Sequence, residues 1–313
     1  MQCVHSGVHD RRVSIRCTDV VSAAQARGGA VVALESSVLA QGLLPPFNRE
    51  AAERMQHAVT MAGATPAITA IDRGVPVLGL EPATLERFLA RDGVRKVSAR
   101  DLAMAMADGA TTVAGTLALC ALGGIEVFAT GGIGGVHRDA PYDESADLTE
   151  LSRTSAIVVC AGAKSILDLP ATLERLETLG IPVVGYQTRE LPGFFTTTTG
   201  LALTVMADNP EHIAHAWRAH RSLGLSGAML VVQSPPLAHA LAPELVEDAT
   251  AAALHEAARQ GIRGGAVTPF LLAEVQRRTN GASVQANLAL LEANASLAGR
   301  IAAALVQARG ATA

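Results

Sequence analysis

Lysine is nearly missing from this chain. Of its 25 basic residues 23 are arginine, and the two lysines are Lys96 and Lys164. Lysine is among the commonest residues, so about a dozen or more would be ordinary at this length. A bias toward GC-rich codons accounts for the exchange and for the abundant alanine, because arginine replaces lysine as a surface charge. It does not replace a lysine that must lose its proton to attack a carbonyl carbon, or one that acts as a compact point charge. The two survivors are therefore the first candidates for chemistry. Aromatic residues make up only 3% of the sequence, which leaves few platforms for stacking single-stranded nucleic acid. A net charge of −4 excludes the basic surface of a general nucleic-acid or anionic-membrane binder. The cysteines Cys3, Cys17, Cys120 and Cys160 form no CxxC pair. Cys120 and Cys160 lie in apolar runs and read as buried thiols in a cytoplasmic protein. No long apolar run is present either. The longest uncharged stretch, Ser222 to Pro243, contains Gly224, Gly227, Pro235, Pro236 and His239, and reads as a buried strand leaving into a loop, with no membrane span. The N-terminus carries Arg11, Arg12 and Arg16 without an apolar segment behind them, unlike a signal peptide.

What the chain does have is a core. Its 313 residues are 49% hydrophobic, enough for one large domain. Residues 1–27 read as a flexible N-terminal extension and 28–309 as a single domain. The run ending at Glu35 reads as a strand, with a helix from Asn48 to Met61 behind it, and two apolar runs around Asp72-Arg73-Gly74 form a hairpin. Helices are expected near Pro82–Arg91 and Thr112–Leu122. From there strands IEVFA, AIVVC, IPVVGYQ and AMLVVQS alternate with helices at Ala146–Arg153, Pro170–Leu179 and 209–223. The last stretch is helical over 243–260, 268–278 and 283–308. Such alternation predicts an α/β fold, a mostly parallel sheet covered by helices on both faces, with a helical C-terminal layer.

Ligands of open α/β sheets gather at the C-terminal ends of strands, and polar clusters fall at four such places. Glu35 ends the first run. Thr130-Gly-Gly-Ile-Gly-Gly-Val-His137 follows IEVFA, and Ala161-Gly-Ala-Lys164-Ser165 follows IVVC. Thr111 and Thr112 precede a small-residue helix and offer hydroxyls and N–H groups to an anion. The glycine loop is not a dinucleotide fingerprint, since His137 stands at the third glycine position, and AGAKS lacks the glycines of a P-loop. Four glycines in five residues beside a histidine instead suit close approach of the backbone to a ligand. Lys164, in a small-residue pocket, suits attack on a carbonyl as a free amine; Lys96, beside Ser98 and Arg100, suits an anion clamp. Asp143 and Asp147 fit a hard cation such as Mn²⁺ or Mg²⁺. The same spacing fits capping of a helix at Ala146 by Ser145 or Asp143, which on spacing alone is the commoner arrangement. Cys3, His5 and His9 belong to the N-terminal tail. His212, His215 and His220 are expected on the solvated side of one helix, and His255-Glu256 lacks the second histidine of a zincin.

In this order from about residue 30 to 300 the chain carries VALESSVLAQGLLPPFN, KVSARDL, GATTVAGT, FATGGIGGVHR, SADL, VVCAGAKSILDL, GYQT and TPFLL. It resembles the pseudouridine-5′-phosphate glycosidase family, which includes indigoidine synthase A proteins. The resemblance implies a homotrimeric α/β enzyme with one Mn²⁺ per subunit, Mg²⁺ or another divalent cation being possible. Its reaction is reversible cleavage of the C–C glycosidic bond of pseudouridine 5′-phosphate to uracil and ribose 5-phosphate. It further implies that Glu35 is the proton donor and Lys164 the nucleophile that forms an imine with the ring-opened sugar. Lys96, Thr112 and Val113 are implied as substrate contacts around the phosphate. Asp143 is implied as the metal ligand, and Ser145, Ala146 and Asp147 as the adjoining substrate stretch. Thr130, His137 and Asn287 are implied as pocket positions. The chain departs from the family's usual pattern at Glu144, where an aliphatic residue is usual, in a shorter segment between Asp101 and Thr111, and in its N-terminal extension. The competing expectations are a Schiff-base lyase or aldolase acting on another sugar phosphate, and a non-catalytic phosphosugar-binding module.

Overall fold

Every residue of the strand Val31–Glu35 is buried, as is every residue of Ile157–Cys160 and of Met229–Val232. Side chains on a strand alternate between faces, so continuous burial requires cover on both sides of a sheet. The computed structural model describes residues 15–138 and 142–310. The strands are β1 (Arg16–Cys17), β2 (Val31–Glu35), β3 (Thr65–Asp72), β4 (Val75–Leu78), β5 (Arg95–Val97), β6 (Gly109–Thr111), β7 (Val127–Ala129), β8 (Val136–His137), β9 (Ile157–Cys160), β10 (Leu167–Asp168), β11 (Val183–Tyr186), β12 (Val205–Ala207) and β13 (Met229–Val232). The helices are α1 (Asp19–Ala26), α2 (Phe47–Met61), α3 (Pro82–Ala90), α4 (Val113–Gly123), α5 (Ala146–Arg153), α6 (Leu169–Thr178), α7 (Pro210–Ser222), α8 (Pro243–Gln260), α9 (Val267–Arg278) and α10 (Ala282–Gly310).

The main sheet runs β1-β4-β3-β2-β7-β9-β13-β11-β12, with β6 joining β3 to β5. Its pairs are parallel except β3 with β4 and with β6. The expected hairpin is β3–β4, where Asp72 faces Val75 across the turn. The central register aligns Leu34 with Ala129, and Ala129 with Val159. The chain therefore leaves β2, β7 and β9 side by side at one sheet end, and delivers Glu35, Thr130 and the Lys164 loop to the same place. The helical C-terminal layer is centred on α10, which packs against α2, α7, β2, β7 and β9. Over Ala282–Arg309 this helix is long and apolar enough to cross a membrane, but 67% of its apolar window is buried inside the domain.

The domain starts earlier than the sequence pattern suggests. β1 pairs with β4, the Thr18 amide donates to the Leu78 carbonyl, and Val21 and Ala24 are buried. Residues 15–27 are thus part of the fold, because the mixed helix Asp19–Ala26 hides two small apolar side chains that are too few to show a period. The expectations for residues 1–14, including Cys3, His5 and His9, lie outside the described residues. Cys120 and Cys160 are free and fully buried, and burial pushes each thiol up to about 12, which makes them inert at neutral pH. His220 departs from the expected solvated face. It is buried, stacks on Trp217 and lies 3.1 Å from the Gly227 carbonyl, whereas His212 and His215 are exposed.

Candidate active site

The ends of β2, β7 and β9 open into a cavity of about 720 Å³. Its walls include Glu35, Lys96, Thr112, Val113, His137, Asp143, Ser145, Ala146, Asp147, Lys164 and Asn287. Residues separated by more than 250 positions are brought together by the strand order and by the packing of α10, which carries Asn287, against β2, β7 and β9.

Glu35 closes β2 and is buried, 6% exposed. The Ser37 hydroxyl donates to its Oε2 at 2.6 Å, and the Thr130 hydroxyl donates to its Oε1. Thr130 does not reach the cavity. It is 1% exposed and stands behind Glu35, so the structure places it on the Glu35 carboxylate and away from the pocket surface expected for it.

The glycine loop and the lysine loop lie against each other as a short parallel ladder. The Ala161 amide donates to Gly131, Ile133 to Gly162 and Lys164 to Ile133, at 2.9 to 3.1 Å. Gly162 has a φ of +85° and passes so close to the Pro192 carbonyl that a Cβ would lie 2.5 Å from its oxygen. Only glycine fits both conditions. Lys164 therefore projects from a backbone fixed on two sides. Neither lysine ammonium has a hydrogen-bond or ion-pair partner among the described residues, so two free cations face one cavity. The Lys96 side chain presents much of its length to the cavity space. The walls there still limit its hydration, and with the neighbouring Lys164 charge they hold Lys96 below the usual lysine range, against the opposing pull of Asp147 and Glu35.

On the opposite wall, Asp147 is bound rather than available. Its Oδ1 accepts the Ala114 amide at 3.0 Å and its Oδ2 accepts Gly134 at 2.8 Å. A carboxylate at the start of α4 is favoured by the helix dipole, and here it also ties the glycine loop to that helix. Ser145 caps α5 by accepting the Asp147 amide at 3.2 Å, so the capping alternative holds for Ser145. Thr112 caps α4 through Gly115 at 3.3 Å, while Thr111 is buried in a hydroxyl cluster with Ser36, Thr69 and Thr116. Thr111 is thus engaged internally, while Thr112, which accepts the cap bond and keeps its own O–H to donate, lines the cavity. Val113, first residue of α4, keeps an amide that no side chain takes.

Asp143 stands exposed on the cavity wall, its backbone carbonyl accepting the His137 amide at 3.0 Å. Among the described residues no three His, Cys, Asp or Glu side chains cluster to cage a metal. One wall carboxylate beside open space fits a hard cation that keeps most of its waters, as Mn²⁺ and Mg²⁺ do, and does not fit a zinc cage. Glu144 is met by the Arg175 guanidinium at 2.9 Å, so its charge is answered locally.

Several residues were not singled out from sequence. Ser37 and Gln41 come from a π-helical turn at Val38–Gly42 and the residue before it, a bulge of the sort common at functional sites. Phe194 backs the glycine loop, and Thr268, Pro269 and Leu272 of α9 roof the cavity. Asn287 lines it with Oδ1 buried and unpartnered. Asn294, seven residues on and on the same face of α10, holds the start of the glycine loop.

Lys96, Lys164 and Glu35 thus face one cavity at the strand ends of a parallel sheet, where ligands of open α/β folds collect. The chain belongs to the Indigoidine synthase A like protein family, whose model matches residues 20–304. It is 70% identical to a pseudouridine-5′-phosphate glycosidase of Gemmatimonas aurantiaca, over 95% of this chain and 98% of that one. A protein of the same name from Herpetosiphon aurantiacus is 51% identical over 92% of this chain and 96% of its own. Among solved structures, the prealnumycin C-glycosynthase AlnA in complex with ribulose 5-phosphate aligns with a TM-score of 0.87 and 37% identity, covering 95% of this chain and 98% of that chain. An indigoidine synthase A-like protein of Thermotoga maritima gives 0.86 and 34%, covering 97% and 100%.

Proposed function

We propose that this enzyme is a pseudouridine-5′-phosphate glycosidase, cleaving the C–C glycosidic bond of its substrate to uracil and ribose 5-phosphate and running the reverse reaction as well. The observation that carries the reading is the convergence of the chain's two lysines and Glu35 on one cavity, in a family whose relatives bear that name. A C-glycoside cannot lose its base as a stabilised nitrogen anion, so the sugar carbon needs an electron source and uracil C5 needs a proton. Glu35 gives its proton to the ring oxygen as the C1′–O4′ bond opens, and the Lys164 amine bonds to C1′. The Lys164 nitrogen passes a proton back to the Glu35 carboxylate and so regains its lone pair. The C1′–C5 bond then breaks as that lone pair forms the C1′=N iminium; the bond's electrons pass to C5, Glu35 gives its proton there, and uracil leaves. Water hydrolyses the iminium to open-chain ribose 5-phosphate and frees Lys164. Lys96 and the Val113 amide hold the phosphate, a positioning contribution that can reach several kcal/mol. The buried, unpartnered Oδ1 of Asn287 suits an N–H of uracil.

Asp143 would hold one Mn²⁺ per subunit, or Mg²⁺ in its place, with water completing the shell. That cation would supply positive charge and ordered water beside the sugar and base. The homotrimer and the cytoplasm are part of the same reading. Two inert buried thiols suit a reducing compartment, and exposed Met104 and Met106 near the cavity rim suit contact between subunits.

Borohydride added during turnover of pseudouridine 5′-phosphate, followed by peptide mass analysis, tests the assignment. A reduced ribose-phosphate adduct on the Lys164 peptide, without uracil and absent in Lys164→Arg, is the expected result. Unchanged substrate with no adduct would point to another sugar phosphate or to a binding module. Substantial turnover by Lys164→Arg would remove the imine.

A further inference from the structure

We infer that Asn294, held by Gln233, is a positioning residue for the proton donor, acting on Glu35 through Thr130. The inference deepens the proposed glycosidase reading and rests on it.

Asn294 lies within the apolar helix α10 and is 1% exposed. A buried amide costs free energy unless every polar atom is paired, and this one is paired on both sides. Its Nδ2 donates to the Thr130 carbonyl at 2.8 Å and reaches the Gly131 carbonyl at 3.4 Å. Its Oδ1 accepts the Gln233 Nε2 at 2.8 Å. Gln233 follows β13, and its backbone amide donates to the Cys160 carbonyl at 3.1 Å, at the end of β9. The chain of contacts thus runs from the end of β9 through Gln233 and Asn294 to the peptide that begins the glycine loop.

That peptide bears the one hydroxyl on Glu35 Oε1. The Thr130 amide is fixed to the Val159 carbonyl at 3.0 Å, so the Asn294 amide completes the restraint from the carbonyl side and sets where the hydroxyl points. Leu290 and Leu291 press on the same loop, a Cβ at Gly131 lying 3.3 Å from each. They supply apolar contact but no direction. A leucine at 294 would suit the apolar helix as well as its neighbours do. Neither Asn294 nor Gln233 lines the cavity, so neither touches substrate.

The test compares Asn294→Asp, which aims a carboxylate at two carbonyl oxygens, with Gln233→Leu, which removes the outer link and carries the test should the first variant fail to fold. For cleavage of pseudouridine 5′-phosphate, kcat is expected to fall about ten- to a hundred-fold, the scale of lost outer-layer support, with KM within about three-fold. In a Thr130→Val background the same substitutions should add little, because the hydroxyl they aim is already gone. Borohydride trapping of Lys164 with ribose 5-phosphate, whose aldehyde form needs no proton from Glu35, should persist in every variant and reports an intact pocket. Unchanged kcat, a loss confined to KM, or full multiplication with Thr130→Val would overturn the inference. A wild-type enzyme that traps no adduct would instead overturn the glycosidase reading.

Discussion

Lys96 and Lys164 share a cavity and differ in what surrounds them. Lys164 projects from a loop pinned on both sides, while Lys96 sits on β5 with its ammonium held below the ordinary value near 10.5 by the cavity walls and by Lys164. Phosphate binding needs that ammonium charged. The affinity for ribose 5-phosphate should therefore fall as pH rises through the lowered Lys96 pKa, a fall that calorimetric titration should find flattened in Lys96→Met. In the unliganded protein the unfolded chain keeps this proton to higher pH than the folded one, so stability from this group rises with pH between the lowered value and 10.5. Glu35→Gln keeps the side chain's size and removes the carboxyl group proposed to donate the proton. Cleavage should drop about 10²- to 10⁴-fold, while the borohydride adduct of ribose 5-phosphate on Lys164 remains; loss of both together would show that Glu35 shapes the pocket instead. At this scale much was legible, because scarcity marked both lysines and strand ends marked Glu35 and the glycine loop. Thr130 was placed in the pocket by pattern, and only the structure turns its hydroxyl onto Glu35. Asn294 left no signal, since a lone amide in an apolar helix does not name its partner.

The glycine loop links several walls of the site, meeting α10, Phe194, the Lys164 loop and the Ser145–Asp147 turn. A Cβ at Gly132 would lie 2.6 Å from Phe194 Cδ2 and 2.9 Å from the Gly162 carbonyl oxygen. Gly132→Ala is thus expected to destabilise the fold by about 1–3 kcal/mol, as overpacking does, and to raise KM. Urea unfolding with steady-state kinetics would check both, and unchanged values would mean the loop can move aside. Two helices match the sequence reading at both ends, the short α5 at Ala146–Arg153 and the longer α8 at Pro243–Gln260. Strands of two or three residues such as β5, β6, β8, β10 and β12 are too short to show alternation, and pairing with a neighbour defines them. β1 and α1 escaped for a related reason: what fixes them is a distant strand, β4.

Across the whole molecule, α10 is the member that binds the layers together. It crosses α2 so closely that a Cβ at Gly299 would lie 2.6 Å from the Ala62 Cβ, and it presents Asn287 to the cavity and Asn294 to the loop beneath. The proposed cation belongs to this scale too, since Asp143 would hold it on a cavity wall and not in a cage. Chelation should abolish turnover and added Mn²⁺ restore it, with Asp143→Asn needing more metal; activity unaffected by chelation would dismiss the cation. The parallel sheet was readable from the β/α alternation, and strand ends marked Glu35 and the Lys164 loop, but the order that sets β2, β7 and β9 side by side was not, because strand order is set by packing. That order has a consequence for biosynthesis. A ribosome makes Lys164 well before α10, so the helix that brings Asn287 to the cavity joins it only later. A nascent chain that has reached Lys164 therefore has no finished cavity around it, and the docking of α10 completes the pocket.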